Sequence, residues 1–394
     1  MRHFKSDSHL FHSVRRYTRT QPGMTDHPFT NRTALVHDWL NQMGGAENVL
    51  EVLHGMFPSA PIYTSLYVPP RMPNAMRGWD IRTSWLNRIP QRDRLARYLL
   101  PLYPSAFRSM NLVDHDLVIS IKSAFCLGVR TASDGNRARH VCYCLTPTRF
   151  LWNFDQYMVR EQVSGPARLA SRMLLEHLRR WELDAAKKVD DFIAISTAVQ
   201  ERIRDIYGRS STIIHPPVDT GAFRPESSVP REDFYLVVSR LIPYKRIDLA
   251  VSAFNRMPDR NLVIVGNGRD ATALKAMAGP NIHFTNYLPT REVVDLMQRC
   301  RGFIFPGEED FGITPVEAMS AGSPVVALRA GGALDTVVDR QTGVFFDSSE
   351  PEALCNAIEK ADSANWDQEV LYRQADQFST ELFRERFWRF LAAA

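Results

Sequence analysis

Cysteine, long hydrophobic runs and net charge are all scarce in this sequence. The five cysteines among 394 residues are scattered and form no C-x-x-C pair, which argues against a zinc site or a disulfide framework and favours a reduced cytoplasmic chain. No stretch reaches the roughly 18 apolar residues that cross a bilayer. Lysine and arginine number 48 and aspartate and glutamate 44, an excess too small over this length to indicate nucleic-acid binding. We therefore expect a soluble or peripheral protein that binds no nucleic acid.

The first thirty residues differ from the rest of an otherwise ordinary globular composition. Hydrophobic residues make up 44% and charged residues 23% of the chain, and its length predicts two or three domains with a large core. Residues 1–30 are rich in arginine and histidine and lack the apolar central region of a secretory signal. We expect them to be a disordered or misannotated extension, with Met24 as an alternative start.

From Thr33 onward, short apolar runs alternate with segments of helical periodicity, a pattern typical of parallel sheets covered by helices. A proline-rich polar stretch at residues 213–230 interrupts this alternation and predicts a linker. We expect an N-terminal domain over residues 31–212 and a C-terminal domain over 213–375, with residues 376–394 packing back on the first domain. Two such domains leave a cleft between the carboxyl ends of their strands, where α/β sheets bind ligands.

The predicted strands fall into two series. In the N-terminal domain they lie at residues 35–37, 117–120, 141–144 and 192–196. In the C-terminal domain they lie at residues 234–239, 262–265, 283–285, 303–305, 325–328 and 344–346.

Two glutamates with seven residues between them are candidate site residues. Glu309 lies in an acidic loop after a predicted strand, and Glu317 lies in the short helix that follows. For Glu309 the alternative is a solvated loop acid, because an exposed loop would relieve the repulsion from its two acidic neighbours. For Glu317 the alternative is a capping box, since Thr314-Pro-Val-Glu317 places proline at the first helical position and glutamate in the first turn.

Two cations precede the first helix of the C-terminal domain, which is predicted to begin at Ile247. Arg240 and Lys245 lie where positive charge opposes the helix macrodipole, at a cost of roughly a few tenths of a kcal/mol each. An anion held between these side chains and the helix amides would offset that cost. The pattern indicates a phosphate site, with plain surface cations as the alternative.

Two glycine turns and a pair of aspartates are weaker indications of a ligand or metal site. Gly44-Gly45 follows the first strand and lets the backbone approach a ligand closely. Gly266-Asn-Gly268-Arg-Asp-Ala271 matches the dinucleotide fingerprint, but Asn286 stands about where an acid should hold the ribose, so NAD binding is not expected. Asp114-His-Asp116 precedes its strand, at the wrong end for an α/β site, and no metal site is expected.

These segments together resemble the retaining GT-B glycosyltransferases of family 4 from residue 33 to about residue 390. Arg240 and Lys245 match the family's cations for the donor diphosphate. Glu309 and Glu317 match its pair of glutamates. The segments at residues 214–219, 235–248 and 330–335 look most like bacterial mannosyltransferases that build exopolysaccharide or O-antigen.

The resemblance implies an α/β GT-B fold, two Rossmann-like domains facing across a cleft, and a metal-independent hexosyltransferase with no cofactor. Glu309 at the donor sugar, with Arg240 and Lys245 at the diphosphate, would be catalytic, and Glu317 would hold the ribose hydroxyls. Arg149 and Trp152 would bind the acceptor. The implied donor-binding residues are Gly45, Arg240, Lys245, Gly266, Phe311, Gly312, Ile313, Thr314 and Glu317.

The implied donor is a nucleoside diphosphate sugar, with GDP-mannose favoured, and the implied acceptor is a growing glycan or a polyprenyl-diphosphate-linked one, as in lipopolysaccharide synthesis. Leu145 departs from the pattern, because the family usually has a sugar-contacting histidine before Thr-Pro. The lost hydrogen bond, worth roughly 0.5–1.5 kcal/mol, keeps a 6-deoxyhexose or UDP-sugar donor open. A GT-B epimerase and a non-catalytic nucleotide-sugar-binding protein are further alternatives.

Basic and aromatic residues are concentrated between residues 82 and 108. This composition suits an anionic membrane surface and peripheral attachment to the inner face of the cytoplasmic membrane. A solvated helix face is the alternative.

Overall fold

The computed structural model describes residues 32–95, 98–133, 136–152, 166–227 and 229–393. The extension expected at residues 1–30 lies outside the described residues. Two parallel sheets with helices packed on them form the molecule, so the predicted α/β class is confirmed. The positions of the domain boundaries stay a prediction.

The first sheet contains seven parallel strands in the order β3-β2-β1-β4-β7-β8-β9. The predicted strands of the N-terminal domain all lie in this sheet, and β1, β4 and β7 are its buried centre. A separate antiparallel hairpin joins β5 to β6. The strand bounds are β1 Thr33–His37, β2 Ile62–Thr64, β3 Ile81–Thr83, β4 Leu117–Lys122, β5 Ala132–Ser133, β6 Asn136–Arg137, β7 Arg139–Cys144, β8 Asp191–Ala194 and β9 Thr212–Ile213.

The second sheet contains six parallel strands in the order β12-β11-β10-β13-β14-β15. All six strands predicted for the C-terminal domain are confirmed. Numbered within the domain, the order is that of a doubly wound nucleotide-binding sheet, and it reverses between β10 and β13. The bounds are β10 Phe234–Val238, β11 Asn261–Val265, β12 Ile282–Asn286, β13 Gly302–Phe305, β14 Val325–Leu328 and β15 Gly343–Phe346.

Helices connect the strands of both sheets, and none in the described part of the chain is long and apolar enough to cross a membrane. The α-helices are Gly45–Met56, Arg92–Leu95, Tyr103–Arg108, Arg149–Trp152, Pro166–Ala186, Thr197–Tyr207, Thr220–Phe223, Ile247–Asn255, Ala271–Met277, Thr290–Arg299, Ile313–Ser320, Ala333–Thr336, Pro351–Ser363, Gln368–Asp376 and Thr380–Ala392. The 3-10 turns are Pro69–Arg71, Asn74–Gly78, Trp85–Arg88, Leu100–Leu102, Cys126–Gly128 and Pro243–Lys245.

The last helix of the chain contacts the N-terminal domain. Its Phe383 and Phe387 rings lie 5.8 and 6.4 Å from the ring of Tyr143 in β7. Its Trp388 lies 4.9 Å from the ring of Phe57. These side chains are buried in one apolar cluster, so the C-terminal segment completes the core of the first domain.

Candidate active site

The loops after β10 and β13 meet where the strand order of the second sheet reverses. In sheets of this kind, ligands bind outside the carboxyl ends of the strands at that point. The loop after β10 carries Lys245 and the loop after β13 carries Glu309. The Lys245 ammonium donates to the Glu309 carboxylate, and the two side chains are 13% and 19% exposed. The structure therefore brings the predicted cation and the predicted acid together at the position expected for a ligand.

Three cations of this site contact Tyr244, through its hydroxyl or its ring. Its hydroxyl accepts a hydrogen bond of 3.0 Å from the Arg240 guanidinium. The Lys245 Nζ lies 5.3 Å from the ring centroid, and the guanidinium of Arg149 lies 5.0 Å from it. Arg149 comes from the N-terminal domain, so the cluster bridges the cleft. The sequence pattern singled out the three cations but not the tyrosine.

The acidic loop is paired rather than solvated. Glu308 accepts from Arg202 at 3.0 Å, and Asp310 accepts from both Arg202 and Arg149, the latter at 2.7 Å. The repulsion among the three adjacent acids is thus balanced by cations, two of them from the other domain. The alternative of a solvated Glu309 does not hold, because its side chain is paired and largely buried. Burial alone would lower the pKa of Arg149, but the carboxylates of Asp310 and Glu309 raise it.

Glu317 is not part of a capping box. The helix begins at Ile313 with Gly312 as its N-cap, so Glu317 is the fifth helical residue and lies beyond the first turn. No side chain caps the helix start, so the alternative of a capping box at Thr314 does not hold. Burial raises the pKa of the Glu317 carboxyl to about 7. No ion pair or side-chain hydrogen bond reaches it from the described residues, which leaves the carboxyl group available.

The start of this helix offers backbone amides to the cleft. Gly312 has a φ of +94°, a conformation that glycine adopts without strain, and this directs the chain from the acidic loop into the helix. Phe311 is buried and stacks on His215 of the linker at 5.5 Å. The amides of the first turn, including Ile313 and Thr314, therefore form an uncapped helix N-terminus beside Glu309, which suits an anion.

The glycine turn of the N-terminal domain faces this helix. A Cβ at Gly45 would lie 2.8 Å from the Ile313 side chain, so the two domains approach each other closely here. Gly45 opens the helix that carries Glu47. Burial raises the pKa of the Glu47 carboxyl, although His37, 3.7 Å away, partly offsets this.

Gly266 and Gly268 are explained by packing between loops. Gly266 has a φ of +139°, and a Cβ there would lie 1.9 Å from the carbonyl oxygen of Ser239. A Cβ at Gly268 would lie 2.2 Å from the carbonyl oxygen of Leu241. The loop after β11 therefore rests on the loop that leads to Lys245, and the dinucleotide-like spacing reflects this contact.

A buried ion pair positions the segment that carries Arg149. Lys122 donates to Glu182 at 2.7 Å, and both side chains are fully buried. Burial opposes the charge of Glu182, but Lys122 and hydroxyl donors lower the pKa of its carboxyl below the ordinary value. Glu182 also accepts from Thr148 at 2.8 Å and from the Trp152 indole at 3.0 Å. No local sequence pattern indicates this network, because its partners are separated by tens of residues.

Trp152 and Leu145 lie on the inner side of this segment. The Trp152 indole N–H is used by Glu182, and Leu145 packs against the core of the N-terminal domain. The acceptor-binding role of Trp152 therefore stays a prediction. Arg149, by contrast, reaches the cleft.

The described part of the chain contains no group of three histidine, cysteine, aspartate or glutamate side chains placed to hold a metal ion.

In the basic segment at residues 82–108, the Tyr98 side chain is 65% exposed and the Trp85 side chain is 38% exposed. Large apolar side chains therefore reach the surface of the N-terminal domain there.

Sequence comparisons find relatives over part of the chain. Residues 220–377 match the sequence profile described as glycosyl transferases group 1. A GDP-mannose-dependent alpha-(1-6)-phosphatidylinositol monomannoside mannosyltransferase of Mycolicibacterium smegmatis is 31% identical over 193 aligned residues, which cover 42% of this chain and 50% of that protein. A D-inositol 3-phosphate glycosyltransferase of Mycobacteroides abscessus is 30% identical, covering 48% and 46%. The chain thus matches about half the length of these relatives.

Solved structures share the fold over nearly the whole chain. HepE of Anabaena, crystallised with UDP and glucose, superposes with a TM-score of 0.66 at 18% identity and covers 92% of this chain and 100% of that one. Sucrose-phosphate synthase of Thermosynechococcus elongatus gives 0.65 at 16% identity, with 92% and 99% covered. The expected GT-B fold and the resemblance to glycosyltransferases are confirmed.

Proposed function

We propose that this chain transfers a hexose from a nucleoside diphosphate sugar to a hydroxyl of a glycan or lipid-linked acceptor, with retention at the anomeric carbon. The match of residues 220–377 to the sequence profile of the group 1 glycosyl transferases supports this proposal. The observation that carries this proposal is the pairing of Lys245 with Glu309 at the switch point of the second sheet. A diphosphate that binds there replaces the carboxylate as the partner of Lys245.

The chemistry follows from where charge develops. As the bond from the sugar to the diphosphate breaks, positive charge grows on the sugar ring and negative charge on the leaving group. Arg240, Lys245 and the amides at Ile313 and Thr314 stabilise the leaving group, the kind of electrostatic contribution that dominates many enzymes. Glu309, released from Lys245, faces the sugar. These groups supply the stabilisation that a metal ion gives in other transferases.

The remaining donor contacts follow the cleft. Glu317 has a free carboxyl group that can accept hydrogen bonds from the two ribose hydroxyls. Gly266 adjoins the loop of Arg240 and suits the base. Gly45 leaves space for the donor between the two domains.

GDP-mannose is the favoured donor, because relatives of about 30% identity are GDP-mannose-dependent mannosyltransferases. A second candidate is a UDP-linked or 6-deoxy sugar. Leu145 favours it, since an apolar side chain stands where the family has a hydrogen-bonding histidine. The acceptor is a growing glycan or a polyprenyl-diphosphate-linked one. The exposed Trp85 and Tyr98, with the arginines around them, suit the anionic surface of a membrane.

A thermal-shift panel with GDP, UDP, ADP and dTDP tests the donor. Binding to the native state raises its stability by mass action, by about 2.7 kcal/mol at a ligand concentration a hundred times the Kd. We expect GDP to raise the melting temperature most. The second donor candidate predicts the largest rise with UDP or dTDP, and no rise with any of the four would contradict the proposed function.

Substitution of Lys245 tests the site. Lys245→Ala should lower the rate of sugar transfer by about a hundredfold or more, since it removes a charge that stabilises the leaving group. Its melting temperature should stay near that of the wild type. Lys360→Ala, an exposed lysine on a distant helix, is the matched control. Nucleotide release that requires acceptor identifies a transferase, free epimerised donor identifies an epimerase, and binding without turnover identifies a binding protein.

A further inference from the structure

Three cations converge on one tyrosine ring, and one of them is supplied from across the cleft. Tyr244 is the residue they share, through its hydroxyl for Arg240 and its ring for Lys245 and Arg149. The Arg149 side chain is 34% exposed, and its guanidinium lies over the Tyr244 ring in the cleft. It is also the member of the trio that belongs to the N-terminal domain.

Like charges gathered this closely repel one another unless something holds them. The face of an aromatic ring attracts cations, by roughly 0.5–2 kcal/mol each. The carboxylates of Glu309 and Asp310 provide the remaining compensation for Lys245 and Arg149. Arg240 has no carboxylate within ion-pair distance among the described residues. The cluster is thus arranged for a ligand with more than one negative charge.

We propose that Arg149 is a third cation for the diphosphate of the donor, and that Tyr244 is the positioning residue that holds it beside Lys245 and Arg240. This inference rests on the proposed function and deepens it. A guanidinium has five N–H donors, so Arg149 can keep its bond to Asp310 and still donate to a phosphate oxygen. The donor then contacts both domains at its phosphates.

This role differs from the acceptor binding that the sequence predicts for Arg149. The two roles can be separated by experiment. If Arg149 contacts the diphosphate, its substitution weakens nucleotide binding even when no acceptor is present.

Arg202 offers a matched control. It donates to the same Asp310 carboxylate and comes from the same domain, but its other partner is Glu308. Removing Arg202 weakens the contact between the domains without taking a cation from the ring of Tyr244. A difference between the two arginines therefore reports on the diphosphate and not on the interface.

Isothermal titration calorimetry with GDP and GMP, or with UDP and UMP if the uridine nucleotides bind better, measures the effect on the full-length protein. Arg149→Ala should weaken the nucleoside diphosphate by about tenfold to a hundredfold, the range for a lost charge-assisted contact. The monophosphate should change by less than threefold, which also shows that the variant is folded. Arg202→Ala should change the two affinities alike and by no more than about fivefold, because it weakens only the contact between the domains.

Two tyrosine variants test the positioning. Tyr244→Phe keeps the ring and should weaken the diphosphate less than Tyr244→Leu, which removes it. In an Arg149→Ala background the effect of Tyr244→Leu should shrink, because coupled residues are not additive. Full additivity would contradict the positioning role.

The affinity measurements distinguish failure of the Arg149 contact from failure of the proposed transferase function. Equal diphosphate affinity for wild type and Arg149→Ala overturns the inference and leaves the transferase in place. Equal losses of diphosphate and monophosphate binding also overturn it. If the wild type binds no nucleoside diphosphate, the proposed function itself fails.

Discussion

The Glu317 side chain is only partly buried, and its carboxyl group has no compensating partner among the described residues. Burial raises its pKa from the ordinary 4.5 to about 7. Between those values the folded chain binds more protons than the unfolded one, so this residue's contribution to stability falls as pH rises through the window. The proposed ribose contact would suit such a group, because a partly buried carboxyl without a partner gains most from new hydrogen-bond donors.

Glu317→Gln should therefore stabilise the unliganded protein above pH 7 and have little effect below pH 4.5. The expected gain at pH 8 is about 2 kcal/mol, since one pKa unit corresponds to about 1.4 kcal/mol and the side chain is partly accessible. Urea unfolding at pH 4.5, 6 and 8 measures it. The exposed acid Glu350 provides the control, and Glu350→Gln should show no such trend. A gain that does not vary with pH would rule out the burial argument.

Strands and loops of the C-terminal domain differ in how far the sequence predicts them. Five of the six strands followed from largely buried apolar runs, because a strand covered on both faces needs such a run. The edge strand β12 is the exception, since Ile282 is its only buried residue. In the N-terminal domain, β2 and β3 are three residues long and carry too little pattern to detect. The capping box failed because Gly312 begins the helix earlier, and a glycine N-cap leaves no polar side chain to read.

Contacts between loops could not be predicted from the sequence, because the residues that touch are far apart along the chain. Lys245, Glu309 and the cations that pair the acidic loop follow different strands, and the strand order alone brings them together. The motifs identified most of the charged groups, whereas Tyr244 and the pair of Lys122 with Glu182 have no local signature. Local pattern thus predicts the elements and the candidates, and topology determines which of them touch.

The glycines after β14 also owe their importance to which loops the topology brings into contact. A Cβ at Gly332 would lie 2.2 Å from the Cα of Phe311, so any side chain would push the acidic loop away. Gly332→Ala should destabilise the protein by about 2 kcal/mol or more, as expected for overpacking against backbone. Gly78→Ala, where nothing lies within 4 Å of the added carbon, is the control. Equal unfolding free energies for the two variants in urea would show that the loop is free to move.

At the level of the whole molecule, the cleft is bridged by polar contacts on the side of the helix Thr197–Tyr207. Asp335 of the C-terminal domain accepts from the Thr197 amide at 3.1 Å and from its hydroxyl at 2.6 Å. The neighbouring Ser196 hydroxyl donates to the backbone carbonyl of Asp310. A carboxylate at a helix N-terminus satisfies free amides and the positive end of the dipole, so this contact favours a closed arrangement of the domains.

Asp335→Ala should open the cleft without unfolding either domain. Loss of an acidic partner at a helix N-terminus costs about 1 kcal/mol, which predicts nucleoside diphosphate binding about fivefold weaker if closure and binding are coupled. Small-angle scattering should show a larger radius of gyration for the unliganded variant and a value near that of the wild type at saturating diphosphate. Asp339→Ala is the control, because Asp339 pairs with Arg329 of its own domain at 3.0 Å. An unchanged radius together with unchanged affinity would mean that the arrangement of the domains does not depend on this contact, and that the arginine pairs of the acidic loop and the buried C-terminal helix hold it instead.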